Sequence, residues 1–154
     1  MSIELKLQEL GLTLPEPAKP VAAYVPAVQV SGTVYTSGQI PLVKGEVKYK
    51  GKLGQEFTVE EGYEAAKICA LNCLAAAKGV IGNLDRIEKV IKVVGFVNSA
   101  PGFTDQPKVV NGASELLGKV FGPAGEHARS AVGVAELPLG VAVEVEMIFQ
   151  IKAD

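Results

Sequence analysis

One histidine, two cysteines and no tryptophan stand among the 154 residues of this chain. A zinc site draws three or four nitrogen and sulfur ligands at recognisable spacings. His127, Cys69 and Cys73 do not supply them, so no metal and no other cofactor is expected. Two cysteines build no disulfide framework either. Arginine is scarce: of the 15 basic residues only Arg86 and Arg129 are arginines. No basic block occurs, and the formal net charge is −2. Dedicated nucleic-acid binders present a cationic face, so no nucleic-acid partner is expected. No run approaches the ~20 apolar residues of a membrane helix. The opening MSIELKLQEL lacks the apolar stretch of a signal peptide. A cytoplasmic protein with no membrane partner is the expectation.

What is present is ordinary globular composition, 48% apolar and 21% charged. Such a chain buries enough surface to fold without staples. It reads as one domain over 1–154, with 1–20 an N-terminal helix and proline-rich extension.

Ser2 caps a helix over residues 2–10 whose Ile3, Leu7 and Leu10 share a face, and Gly11 stops it. Pro15, Pro17 and Pro20 then enforce an extended connector. β-Branched and aromatic residues flank Ser31-Gly32, which predicts a hairpin over 27–30 and 33–39. A short strand follows at 46–49. Thr58-Val59-Glu60-Glu61 is a capping box, and Tyr63, Ala66, Ala70, Leu71, Leu74 and Ala77 recur behind it at helical spacing. Residues 88–97 read as a strand, which makes strand, long helix and parallel strand a crossover unit. A second helix spans about 106–121, with Pro107 in its first turn. Two closing strands, 128–136 and 141–151, read as a hairpin around Leu137-Pro138-Leu139-Gly140. The fold class is α+β: a mixed sheet of six strands with two main helices on one face.

Alternation puts Val143, Val145, Met147, Phe149 and Ile151 on the core face of the last strand and Glu144 and Glu146 on the other. A symmetric hairpin loop would set Arg129, Ala131, Gly133 and Ala135 beside those two carboxylates. So small a face invites close approach by a second copy of the chain; a plain solvent-exposed face is the other reading. In a chain whose usual cation is lysine, an arginine among small residues points to its planar fork, which binds carboxylate bidentately. An internal salt bridge to Glu144 or Glu146 and recognition of a substrate carboxylate both fit. Cys69 and Cys73, spaced i, i+4 on the long helix, read as core. His127 reads either as a structural residue at a strand start or as a general base. Gly122-Pro123-Ala124-Gly125 lacks the flanking strand and lysine of a phosphate loop.

Three stretches resemble one family. Thr36-Ser37-Gly38-Gln39-Ile40-Pro41 is similar to a TSGQIP strand end. Val110-Asn111 opens the second helix region, and Ala128-Arg129-Ser130 runs through Val134-Ala135-Glu136-Leu137-Pro138 to Val143-Glu144-Val145-Glu146. Together they resemble the Rid/YjgF family, the reactive intermediate deaminases. The likeness covers roughly 20–151, and Tyr24 stands at the family's usual distance before Ser37.

The resemblance implies a chorismate-mutase-like fold assembled as a homotrimer, with three clefts between subunits. It implies hydrolysis of 2-imino or 2-enamino acids to 2-oxo acids and ammonia. Arg129 would hold the substrate carboxylate and Glu144 would position or activate water. Tyr24, Ser37, Gly38, Asn111 and Ala131 would complete the cleft. The chain departs from the pattern: Ala22-Ala23-Tyr24-Val25 replaces Gly-Pro-Tyr-Ser, Ala131 stands where cysteine is frequent, Ser99-Ala100-Pro101-Gly102-Phe103 precedes the second helix, and the N-terminal helix and proline segment are extra. The competing readings are a non-catalytic trimer that binds a small carboxylate or 2-oxo acid, and an endoribonuclease, a label some relatives carry.

Overall fold

A computed structural model describes residues 1–17 and 23–153 of the chain. Ser2 accepts a hydrogen bond from Leu5 N and starts α1 (Ile3–Glu9), whose Leu7 is buried in the core. Residues 12–17 have no regular structure, and the remainder of the expected proline-rich connector, 18–20, lies outside the described residues. Strands β1 (Ala27–Val30) and β2 (Thr33–Thr36) form the expected hairpin, with Ser31 at positive φ in the turn. The two-residue strands β3 (Leu42–Val43) and β4 (Glu46–Val47) pair only with each other.

Helix α2 (Val59–Ile81) begins on the full capping box: Thr58 accepts from Glu61 N, and Glu61 accepts from Thr58 N. Strand β5 (Ile87–Asn98), helix α3 (Gln106–Phe121), strand β6 (Ala128–Val134) and strand β7 (Val143–Ile151) follow. Among the described residues the main sheet has five strands in the order β1-β2-β7-β5-β6, and the expected sixth belongs to the small β3–β4 ribbon. The long β7 and β5 are its antiparallel centre.

Both long helices cover one face. Val93, Val97, Val143, Val145, Met147 and Phe149 are fully buried against them, together with Leu74, Leu117 and Val109. Each such side chain contributes roughly 1.5–3 kcal/mol. Glycine permits the closest contacts. A Cβ on Gly112 would strike the Tyr63 carbonyl of α2, and one on Gly95 would strike Val110 of α3. Among the described residues no helix covers the other face of the sheet. Val28, Val30, Tyr35 and Val132 are exposed.

Strands β2 and β5, which precede and follow α2, both run antiparallel to β7 and so parallel to each other, with β7 between them; the adjacent parallel pair is β5–β6, joined through α3. One topological expectation is corrected: β6 and β7 do not form a hairpin, because β5 lies between them. The reason lies in their linker. Gly140 O accepts from Gly51 N, Ala142 N donates to Tyr49 O, and Ala142 O accepts from Asn98 N. The buried Asn98 side chain also donates to Val141 O. These bonds carry the linker across the end of β5 instead of turning it back on β6.

Candidate functional site

Chain order in the sheet decides where the site residues stand. Arg129 pairs with Val93 and Ala131 with Gly95, so both lie on the helix-covered side of β6. Glu144 pairs with Phe96 and lies on the open side of β7. The expectation that Arg129 and Glu144 share a face is therefore overturned. With β5 between the two strands, the registers decide the parity: Arg129 and Met147 both oppose Val93, so Arg129 shares the face of Met147 and not that of Glu144. The presumed small-residue face goes with it, because Ala131 and Gly133 lie on the helix-covered side of β6, away from Glu144 and Glu146.

The described residues form two groups. In the first, β6 meets α3. Arg129 Nη1 donates to Asn111 Oδ1 at 2.8 Å and to Ser114 Oγ at 3.2 Å, and Nη2 donates to Pro107 O at 3.3 Å. Guanidinium carries five N–H donors, and its Nε bonds to no described residue. No described carboxylate pairs with Arg129, which removes the internal salt bridge as its purpose within the chain. Ala131 follows on the same side, half-buried. His127 lies beside the group with both ring nitrogens engaged, Nε2 with Ser114 Oγ at 2.9 Å and Nδ1 with Gly125 O at 2.6 Å. A free general base it is not.

The second group lies where β2 runs out along β7. Tyr35 pairs with Ile148 and Gln39 with Val145, so the chain spends one residue more than β7 between these points. The extra residue makes a bulge at Ser37-Gly38, a device that re-aims backbone beside sites. Ser37 N donates to Pro26 O, and Ser37 Oγ donates to Val25 O at 2.6 Å, which ties down the segment bearing the exposed Tyr24. Gly38 faces Glu144 so closely that a Cβ would lie 2.9 Å from the Glu144 Cδ and Oε2.

Burial raises the Glu144 carboxyl above its ordinary pKa, and the neighbouring Glu146 raises it further. The expectation that Arg129 would stabilise this carboxylate within one chain fails, because that guanidinium is on the other side of the sheet.

The profile of the family described as "YjgF/chorismate mutase-like, putative endoribonuclease" matches residues 4–150. This chain belongs to the YjgF/chorismate-mutase-like family. The protein TCP17 of Trypanosoma cruzi is 45% identical over 153 residues, covering 97% of this chain and 94% of the relative. A 2-iminobutanoate/2-iminopropanoate deaminase of Dermatophagoides farinae is 31% identical over 92% of this chain and 95% of its own. Among solved structures, a protein of unknown function from Agrobacterium tumefaciens superposes with a TM-score of 0.92 at 43% identity, covering 97% of this chain and 92% of its own. One named a putative endoribonuclease, from Shewanella oneidensis, reaches 0.94 at 35% identity and covers 98% and 100%.

Within this YjgF-family chain the sequence reading missed Ser114. Its spacing of three from Asn111 puts both on one face of α3, which was the available signal. Among the described residues no three His, Cys, Asp or Glu side chains converge as metal ligands. No helix is long and apolar enough to cross a membrane among those residues.

Proposed function

We propose that the chain is a hydrolytic deaminase of 2-imino and 2-enamino acids, working in clefts between the subunits of a homotrimer. The observation that carries this reading is the state of Arg129. Three acceptors of one helix, α3, grip one side of its guanidinium, its Nε edge bonds to no described residue, and no described carboxylate neutralises it. A half-buried fork so held suits an incoming carboxylate. The deaminase from Dermatophagoides farinae supports the choice of substrate.

The two groups lie on opposite faces, so one chain alone does not bring them to a common substrate. Closure comes from a neighbour: Arg129, Asn111 and Ala131 of one subunit face Tyr24, Ser37, Gly38 and Glu144 of the next. The uncovered apolar face with Val28, Val30, Tyr35 and Val132 supports assembly, because such patches on soluble proteins mark interfaces.

In the cleft Arg129 fixes the substrate carboxylate. Water adds its oxygen to the imine carbon while the C=N π pair moves to nitrogen. Glu144 takes a water proton and passes it to that nitrogen, giving a carbinolamine. It then takes the hydroxyl proton and delivers it to nitrogen as the C–N bond breaks, which leaves the 2-oxo acid and ammonia. A carboxyl held above its usual pKa is better matched to this shuttling near neutral pH. The test is to generate 2-aminoacrylate or 2-iminobutanoate in situ and follow its disappearance with and without the protein. Loss at the uncatalysed rate with every imino acid tried refutes the enzyme.

A carboxylate-binding trimer without turnover is the second reading, supported by a relative from Lactococcus lactis named "Putative regulator AldR", 32% identical over 92% of this chain and 96% of its own. Glu144→Ala separates the two: only a deaminase has turnover to lose while keeping 2-oxo acid affinity.

A further inference from the structure

Gly125 O, His127, Ser114 and Arg129 form an unbroken chain of hydrogen bonds. Its direction follows from chemistry. A carbonyl only accepts, so His127 Nδ1 carries the proton that goes to Gly125 O at 2.6 Å. In that tautomer of the neutral ring Nε2 is an acceptor, and Ser114 Oγ–H must donate to it at 2.9 Å. With its proton spent on the ring, Ser114 presents only lone pairs to Arg129 Nη1, 3.2 Å away. We propose that Ser114 and His127 are positioning residues for Arg129, a relay that aims the unbonded Nε edge of the guanidinium at the substrate carboxylate.

The geometry supports more than packing. Nη1 is shared between Asn111 Oδ1 and Ser114 Oγ, two acceptors one turn apart on α3, so the fork is held in its plane as well as at one point. A serine free to rotate would present its proton to the guanidinium part of the time. His127 removes that orientation. The ring in turn is fixed by the backbone of the 122–125 turn, whose Gly125 is packed so tightly against α3 that a Cβ there would strike the Leu117 carbonyl. The relay thus connects the register of that turn to the aim of Arg129.

The proposal rests on the reading of Arg129 as the carboxylate anchor, and the experiment separates the two. Affinities for 2-oxobutanoate and for its uncharged amide are measured by calorimetry on wild type, Ser114→Ala, Ser114→Thr, His127→Gln, Arg129→Lys and the Ser114→Ala/Arg129→Lys double variant. Ser114→Ala is expected to weaken acid binding about tenfold, the size of a hydrogen bond to a charged group, and to leave the amide unchanged. Ser114→Thr, which keeps the hydroxyl, and His127→Gln, which keeps an acceptor in reach of Ser114, should restore acid binding to within about threefold. In the Arg129→Lys background Ser114→Ala should add nothing. Equal losses for acid and amide, or losses that add in the double variant, overturn the relay while leaving the anchor intact. If Arg129→Lys binds the acid like wild type, the anchor reading itself fails. The relay is then judged by nitrogen-15 spectra: an Nε2-protonated His127, or an Arg129 guanidinium signal unmoved by Ser114→Ala, overturns it. An Nδ1-protonated ring with a moved guanidinium signal upholds it.

Discussion

Arg129 and Glu144 stand on opposite faces of one sheet, two strands apart, with β5 between their strands. Neighbouring strands lie about 4.8 Å apart, and the two residues are also offset along the strands, since Arg129 pairs with Val93 and Glu144 with Phe96. No rotamer of either side chain reaches around the packed layer of Val93 and Val97. If both act on one substrate, two chains must supply them.

That arrangement makes subunit complementation the most direct test. Arg129→Lys and Glu144→Ala chains, each inactive alone, are mixed in equal amounts, dissociated and reassembled. Any mixed trimer then has one cleft with both residues intact. Random assembly should restore about a quarter of the wild-type hydrolysis rate, as the symmetry of a closed trimer requires. No recovery, with mixed trimers confirmed by mass, would place both residues in one chain's site and end the proposed closure.

Arg129→Lys keeps the charge and loses the planar fork. Lysine cannot bond Asn111 Oδ1, Ser114 Oγ and Pro107 O and still present a paired edge. Affinity for 2-oxo acids should fall tenfold or more, in line with ~1.5–3 kcal/mol for hydrogen bonds to charged groups. The mass of the proposed trimer, read by light scattering, should not change. Wild-type affinity in the variant would return Arg129 to a purely structural role.

Gly38→Ala puts a methyl 2.9 Å from Glu144 Cδ and Oε2. The Gly38 backbone is not in the left-handed region, so the residue is glycine for space. The carboxylate, being the mobile end of its side chain, gives way. Hydrolysis should drop about 10–100-fold, a large part of what general-base catalysis supplies, with the melting temperature nearly unchanged. An alanine variant with full turnover would show that the position of Glu144 against this bulge is immaterial.

Local signals carried much of this fold into the sequence. Thr58 and Glu61 announce α2, Ser31-Gly32 announces the first hairpin, and Pro107 stands in the first turn of α3 as its spacing suggests. Arg129, Asn111 and Glu144 stood out in the sequence as candidates. Their faces did not. A four-residue linker between two apolar strands looks like a hairpin, and nothing local reveals that residues 49–51 and Asn98 take its backbone groups. Parity along β6 depends on its neighbour, and that neighbour is reached through the whole of α3. Ser114 was overlooked for a related reason: its spacing of three from Asn111 gains meaning only once Arg129 is known to lie opposite both.

The thiols should be inert. Cys73 Sγ faces Val145 O at 3.2 Å and Cys69 Sγ faces Val143 O at 3.5 Å, both fully buried. Burial pushes the Cys73 thiol up to about 12 and raises that of Cys69 strongly. Thiolate is the reactive form. Iodoacetamide should leave both unmodified in the native protein at pH 8 and modify both in denaturant, read by mass. Rapid native alkylation would contradict this packing.

Burial, and after it Glu146, shapes the pH response of Glu144. The two carboxyls lie on the same face of β7, and both burial and Glu146 raise the Glu144 pKa. The folded state therefore holds the Glu144 proton more tightly than the unfolded chain does. The stability this brings is fully present below the unfolded carboxyl pKa and is lost as pH rises through the folded value. A Glu144→Gln variant lacks that dependence. Wild type should thus gain stability relative to Glu144→Gln as pH falls from neutral through the carboxyl range, read by urea unfolding at several pH values. In catalysis the sign reverses, because the base must be ionised to take the water proton. The acidic limb of kcat/KM should have its inflection above the ordinary glutamate value. Glu146→Gln removes a like charge, so that inflection should move to lower pH, with the rate on the high-pH plateau retained. The same substitution should narrow the stability gap to the corresponding Glu144→Gln/Glu146→Gln double variant, since both effects report one pKa. An inflection that Glu146→Gln leaves in place would mean that another group controls the acidic limb, and the assignment of the proton shuttle to Glu144 would fall.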